Sequence, residues 1–266
     1  MSNFNTVEDT LFVPMLGRIY ASLNFPQVLY DEKALEIKSK LPEKLKGQDT
    51  QTEYTHLASA VRSLNMDLYI KEFMYKNPDG IIAQLGCGLE TTFYRDSKGC
   101  NNIWYEIDLP EVIDYRKEII GETELDRTIS CSAFSEEWIK TIRENHPGKP
   151  ILVTASGLFY YFTEEEVINL FKMLKKYGNI EVIFDTVNSF GMKQMSKYMK
   201  QVGHEEAKMY FYVDSGKKLA ESLGATLVKE EPFYKYTDKK GFKFSTSATM
   251  ISSDVFNIVK MEHIKF

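Results

Sequence analysis

The chain has 266 residues, 43% hydrophobic and 27% charged, with a formal net charge of −5. That length can bury a sizeable core as one large domain or as a domain with a cap, and the interspersed acids and bases leave no basic footprint for nucleic acid. Cys87, Cys100 and Cys131 form no CxxC pair, residues 1–10 are polar and lack a leader's basic and apolar segments, and no apolar run is long enough for a bilayer. The reading is a cytoplasmic protein with reduced thiols, no zinc site and no membrane contact.

Residues 1–78 read as helical and stand outside the repeating part of the chain, as a brace or a cap over a ligand site. Residues 11–29 are apolar and aromatic, broken by Pro14 and Pro26, and residues 34–45 carry apolar residues at helical spacing up to Pro42. Residues 54–75 are the best helix here, with Leu57, Ala60, Val61, Leu64, Leu68 and Phe73 in or near one stripe. Asn77-Pro78-Asp79-Gly80 then turns the chain into its first strand.

The apolar run 81–85 suits a strand buried on both faces, and Gly86-Cys87-Gly88 stops it. Glycine there tolerates positive φ and lets a ligand lie against the backbone. Thr91 and Thr92 are placed to cap the next helix, whose free N–H groups face the same spot. A second apolar run, 103–107, ends in Asp108, twenty residues after Gly88. Strand, Gly-x-Gly, helix, strand and terminal acid is the layout that holds a ribose-bearing cofactor, the acid accepting from the ribose hydroxyls. The third glycine of a dinucleotide site is replaced by Thr91. A pyrophosphate wants that glycine, whereas S-adenosylmethionine has no phosphate, so the residues lean to a methyl donor over a nicotinamide.

Strands and helices then alternate. A helix over 110–120 opens with a proline; a strand at 128–131, a helix at 136–144, a strand at 150–156, a capping-box helix from Thr163 to about residue 177 and a strand at 180–185 follow. This predicts an α/β, doubly wound, mostly parallel sheet with helices on both faces. Gly86, Asp108, Ser132, Ser156 and Asp185 fall at strand carboxyl ends, where such sheets bind ligands. Residues 188–213 interrupt the alternation with Met192, Met195, Met199, Met209 and several aromatics, which read as ordinary core or as a lid. A helix at 216–223, a strand at 225–230 and an antiparallel edge strand at 242–251 complete the reading.

Residues 84–95 followed by 104–113, with Ala60-Val61-Arg62 and Asp67 ahead of them and Ser156 to Val167 behind, resemble the leucine carboxyl methyltransferase family, which includes polyketide O-methyltransferases of the tetracenomycin type. The likeness covers about residues 55–185. It implies a Rossmann-like class I methyltransferase fold with a seven-stranded sheet, an N-terminal helical cap over 1–78, and a methyltransferase domain over 79–266 with a lid at 188–213. By the same resemblance Arg62 pairs with the methionine carboxylate of S-adenosylmethionine, Gly86, Cys87 and Gly88 pass beneath the donor, Asp108 holds its ribose, and Ser132 and Ala133 lie near its adenine. Ser132 replaces an acid common in the family, and Ser156 replaces the glutamate near the donor's amino group.

The expectation is an S-adenosylmethionine-dependent O-methyltransferase acting on a small molecule, a carboxylic acid or polyketide-like acceptor. A carboxylate acceptor needs no base, whereas a phenol or alcohol wants one. Tyr160 and Tyr161 are candidates for orienting the acceptor, and His204 for a base; the four histidines have no metal-ligand spacing. Two alternatives stay open, a non-catalytic S-adenosylmethionine-binding relative and an NAD-dependent oxidoreductase. The sequence does not give the oligomeric state.

Overall fold

In the computed structural model, described over residues 7–41, 51–201 and 209–266, helices α1 (Val7–Asn24), α2 (Glu32–Ile37) and α3 (Glu53–Lys76) precede the sheet. The sheet then alternates β1 (Ile81–Leu85), α4 (Thr92–Asp96), β2 (Ile103–Asp108), α5 (Pro110–Ile119), β3 (Asp126–Ser130), α6 (Glu137–Asn145), β4 (Ile151–Ala155), α7 (Glu164–Tyr177) and β5 (Ile180–Val187). Helices α8 (Ser189–Gln201) and α9 (Gly216–Leu223), strand β6 (Thr226–Pro232), α10 (Phe244–Val255) and β7 (Val259–Lys265) complete it. The seven strands run in the order β3-β2-β1-β4-β5-β7-β6, with β7 antiparallel to both neighbours and the others pairing in parallel.

The order reverses between β1 and β4, so their carboxyl ends open the crevice where such sheets take ligands. Every residue of β1 and β4 is buried, as expected of strands covered on both faces. Trp138, Phe171 and Ala220 bring α6, α7 and α9 onto one face; Ile70 and Met250 bring α3 and α10 onto the other. Helix α7 begins with the expected capping box, the Thr163 side chain accepting from Glu166 N–H while the Glu166 carboxylate accepts from Thr163 N–H.

Two expectations are corrected. Residues 242–251 do not form an edge strand: α10 occupies most of them, burying Thr246, Met250 and Ser253 at spacings of four and three while Phe244 and Ile251 face out. The antiparallel strand is β7, inside the sheet, where Lys260, Glu262 and His263 disguise a buried segment. Second, Thr91 occupies the N-cap position of α4 without making a side-chain cap; its hydroxyl donates to Asp31 Oδ2 at 2.5 Å.

The charges inside β7 have a consequence for stability. Lys260 Nζ donates to Glu230 Oε2 at 2.8 Å and lies 3.2 Å from Glu262 Oε1. Burial outweighs that shared cation and pushes the Glu262 carboxyl up to about 8 from its ordinary 4.5. Between these values the unfolded chain releases a proton that the folded chain retains, so stability falls as pH rises from about 4.5 to about 8 and levels off above. Melting temperatures across that range should show the decline, to which buried Glu106, raised to about 8, and Asp96, raised to about 7, add; Glu262→Gln, which stays neutral, should make it shallower, and an unchanged slope in the variant would remove Glu262 as a source.

Candidate active site

Two cavities open at the carboxyl ends of β1, β4 and β5. The first, about 350 Å³, lies over the glycine loop and is lined by Gly86, Cys87, Gly88, Asp108, Ser156 and Arg62 among others. The second, about 600 Å³, is bounded by α3, α8, α10 and the segment after β6. Arg62, Tyr160 and Met195 line both. Both volumes lie within the ~300–1,000 Å³ usual for small-molecule sites.

The floor of the first cavity is built by backbone geometry. Gly86 and Gly88 adopt φ of 59° and 48°, and a Cβ at Gly86 would lie 2.8 Å from Leu158 Cδ1. Asp108 Oδ2 accepts from Gly88 N–H and Oδ1 from Leu109 N–H, both at 2.8 Å. Burial raises its pKa, and the two N–H groups work against the rise. Each carboxylate oxygen keeps a further lone pair for a ligand hydroxyl. From beneath, buried Arg116 donates to the carbonyls of Gly88 (3.2 Å) and Glu90 (2.6 Å), which fixes the loop.

Arg62 Nε donates to Asp185 Oδ2 at 2.8 Å. Asp185, 1% exposed, also accepts from Gly157 N–H at 2.7 Å and from the Tyr160 hydroxyl at 2.8 Å. Burial opposes the Arg62 charge, but Asp185 more than offsets it, so the guanidinium stays cationic at the boundary of the two cavities. Gly157 has φ of 67°, and a Cβ there would come within 3.2 Å of Arg62 Nη1. A side chain at position 157 would strain the backbone and crowd the arginine.

The structure brings together Arg62, Gly86, Cys87, Gly88, Asp108, Ser156, Tyr160 and Tyr161 around the first cavity. Ser132 and Ala133 do not line it: Ser132 is exposed, with its hydroxyl accepting from Phe134 N–H at 3.2 Å, and Ala133 is buried. His204 lies outside the described residues. Tyr160 gives its hydroxyl hydrogen to Asp185, and burial and that carboxylate push its own pKa well up, so it stays a neutral phenol. Among the described residues no cluster of His, Cys, Asp and Glu is suited to a metal, and no helix is long and apolar enough to cross a membrane.

Sequence reasoning assigned no role to the charge network behind the glycine loop. Arg95 donates from Nε and Nη2 to the two Asp67 oxygens at 2.9 and 2.8 Å and from Nη1 to Asp31 at 2.6 Å. Arg18 reaches Asp31 and Glu90, both at 3.1 Å, and Leu89 O at 2.6 Å. Burial alone would raise Glu90, but Arg18 and Arg95 hold its carboxyl well below the usual range. The network ties α1, α2 and α3 to the loop. The spacing Glu90-Thr91-x-x-x-Arg95 was its visible signal.

The cradle fits S-adenosylmethionine in its chemistry: two glycines without Cβ at the loop, a carboxylate with spare lone pairs for a diol, and a cation for a carboxylate. It lacks the close third glycine of a pyrophosphate site, since Thr91 is committed to Asp31.

Residues 17–175 match the leucine carboxyl methyltransferase family. The tetracenomycin polyketide synthesis O-methyltransferase TcmP of Streptomyces glaucescens is 27% identical over 184 residues, 68% of this chain and 66% of that protein. The S-adenosyl-L-methionine-dependent methyltransferase dpfgK of Gibberella zeae is 22% identical, over 94% of this chain and 91% of its own length. Among solved structures, a SAM-dependent methyltransferase of Anabaena variabilis superposes with a TM-score of 0.53 at 11% identity, covering 77% of this chain and 84% of its own, a likeness of fold.

Proposed function

Since the chain belongs to the leucine carboxyl methyltransferase family and is an S-adenosylmethionine-dependent methyltransferase, we propose that it methylates an oxygen of a small molecule, a carboxylic acid or polyketide-like compound. The observation that carries this reading is the pair of cavities sharing Arg62, Tyr160 and Met195 as a common wall. The first receives the donor, and the second receives the acceptor. When bound, the donor supplies a methyl group activated on a sulfonium. The chain's own residues bind, orient and exclude water, so that two reactants meet at near-attack distance. Arg62 takes the donor's methionine carboxylate by bidentate contact, Asp108 its ribose hydroxyls, and the 86–88 backbone passes beneath it. Ser156, on the first cavity's lining, offers a hydroxyl where the family commonly has a carboxylate.

Tyr160 and Tyr161 orient the acceptor; a carboxylate acceptor is already a nucleophile and asks for no proton transfer. Residues 1–78 act as a cap: Leu11, Val13 and Pro14 of α1 line the first cavity. Residues 188–213 act as a lid, with Met192 packed on Tyr160 and Val187, and Met195 and Met209 beside them. The protein works on a soluble acceptor in the cytoplasm, without nucleic acid. Incubation with methyl-tritiated S-adenosylmethionine and a panel of aromatic and aliphatic acids should yield products that release radioactive methanol in alkali, as methyl esters do. Label stable to alkali would move the methylated atom to a hydroxyl, and label transfer to none of the panel would contradict the acid reading.

A further inference from the structure

The second cavity holds a polar feature that methyl transfer itself does not use. Tyr54, on the first turn of α3, and Tyr234, just beyond β6, meet hydroxyl to hydroxyl at 2.9 Å, and both line the cavity. Two hydroxyls sharing one hydrogen bond spend one hydrogen between them. The other hydrogen has no acceptor among the described residues. Tyr234 is 1% exposed, and burial raises the pKa of both phenols, so the pair stays neutral and retains that hydrogen. Tyr234 is the donor of the pair, so the hydrogen left over is that of Tyr54, which is half-buried on the cavity wall and placed to meet an oxygen bound there.

Position gives the pair its meaning. Tyr54, Ala58 and Arg62 form one stripe of α3, and the step from 54 to 62 spans about 12 Å of helix. Arg62 and Tyr160 lie on the wall shared with the first cavity, and Tyr54 of the tyrosine pair stands about two turns of α3 from Arg62. The lining is largely apolar, with Ala58, Met195, Phe233 and Ile258, beside the polar Gln194, Thr249, Ser252 and Ser253.

We propose that the Tyr54–Tyr234 pair determines acceptor specificity, donating a hydrogen bond to an oxygen at the far end of an elongated, apolar-bodied acceptor whose methylated oxygen lies beside Arg62 and Tyr160. This rests on the methyltransferase reading above. The acceptor class is therefore a rigid, ring-bearing molecule with oxygen functions at both ends.

Two probes differ in that distal oxygen alone: 6-hydroxy-2-naphthoic acid and 2-naphthoic acid. Calorimetric titration of each into the whole protein saturated with S-adenosylhomocysteine, which cannot react, reads the preference directly. The wild type should bind the hydroxy acid about tenfold more tightly, the yield of one neutral hydrogen bond. The double variant Tyr54→Phe/Tyr234→Phe, which keeps both rings, should bind the two acids alike, with 2-naphthoic acid within about twofold of wild type. Equal melting and S-adenosylhomocysteine affinity in wild type and variant establish that the variant is folded; should it fail to fold, the wild-type preference alone decides. The proposal is overturned if the wild type treats the acids alike, if neither binds, or if the preference survives in the double variant. Failure of S-adenosylhomocysteine to bind strikes the donor reading, and this inference falls with it; donor binding without a preference removes this inference alone.

Discussion

Arg62→Met should lower the melting temperature by about 10 °C and reduce methyl transfer at least a hundredfold. The variant leaves the buried Asp185 carboxylate facing only the Tyr160 hydroxyl and Gly157 N–H. Breaking a buried ion pair by removing one partner costs ~3–5 kcal/mol, because the remaining charge is uncompensated. In a domain of this size each kcal/mol moves the midpoint by ~2–4 °C. Adding Asp185→Asn removes the stranded charge and should recover more than half of the lost stability. Methyl transfer should not return, because the proposed contact with the donor's carboxylate is still missing. Thermal melts and label transfer on the single and double variants check both statements. A double variant no more stable than the single would mean that the pair does not carry the stability, and recovered transfer would take Arg62 out of the donor site.

Asp108→Ala is the second large effect, and it acts on two properties. Its carboxylate accepts from Gly88 and Leu109 N–H, so alanine frees the glycine loop as well as deleting the ribose acceptor. S-adenosylhomocysteine affinity should fall ~100-fold, about 2.7 kcal/mol, and the midpoint of the free protein should drop by several degrees. Asp108→Asn separates the two: its one carbonyl oxygen still accepts an N–H, while its amide cannot accept from a hydroxyl. That variant should keep most of the stability and lose most of the donor affinity. Unchanged affinity in both variants would leave Asp108 as a loop anchor only.

Much of the fold was legible because its strands are the apolar runs. Segments 81–85, 103–107 and 151–155 announce themselves as strands buried on both faces, and the glycine loop with Asp108 twenty residues on marks the floor of the first cavity. Strand β7 escaped because its buried residues include Lys260 and Glu262, which pair with each other while Lys260 also pairs with Glu230 of β6. Helix α10 read as a strand because Phe242 and Phe244 mimic alternation, whereas its buried positions follow a helical interval fixed by packing on the sheet. The second cavity was invisible for a different reason: its lining comes from residues as far apart as Tyr54 and Val259, brought together only by the fold. The Arg18–Asp31–Arg95–Glu90 network is likewise long-range, and of its residues Asp67 and the Glu90 to Arg95 segment lie in the motifs that carried the family resemblance, whereas Arg18 and Asp31 do not. Ser132, a position taken from the resemblance, accepts from Phe134 N–H and is not among the residues that line the first cavity.

In the proposed function the cradle over Gly86 to Gly88, closed by Asp108 and Arg62, takes a sulfur-linked nucleoside and no dinucleotide. Calorimetric titration of the protein with S-adenosylmethionine, S-adenosylhomocysteine and NADH in parallel tests it most directly. The expected result is binding of both sulfur ligands at one site per chain and no heat from NADH. Binding of NADH, or of none of the three, would contradict it.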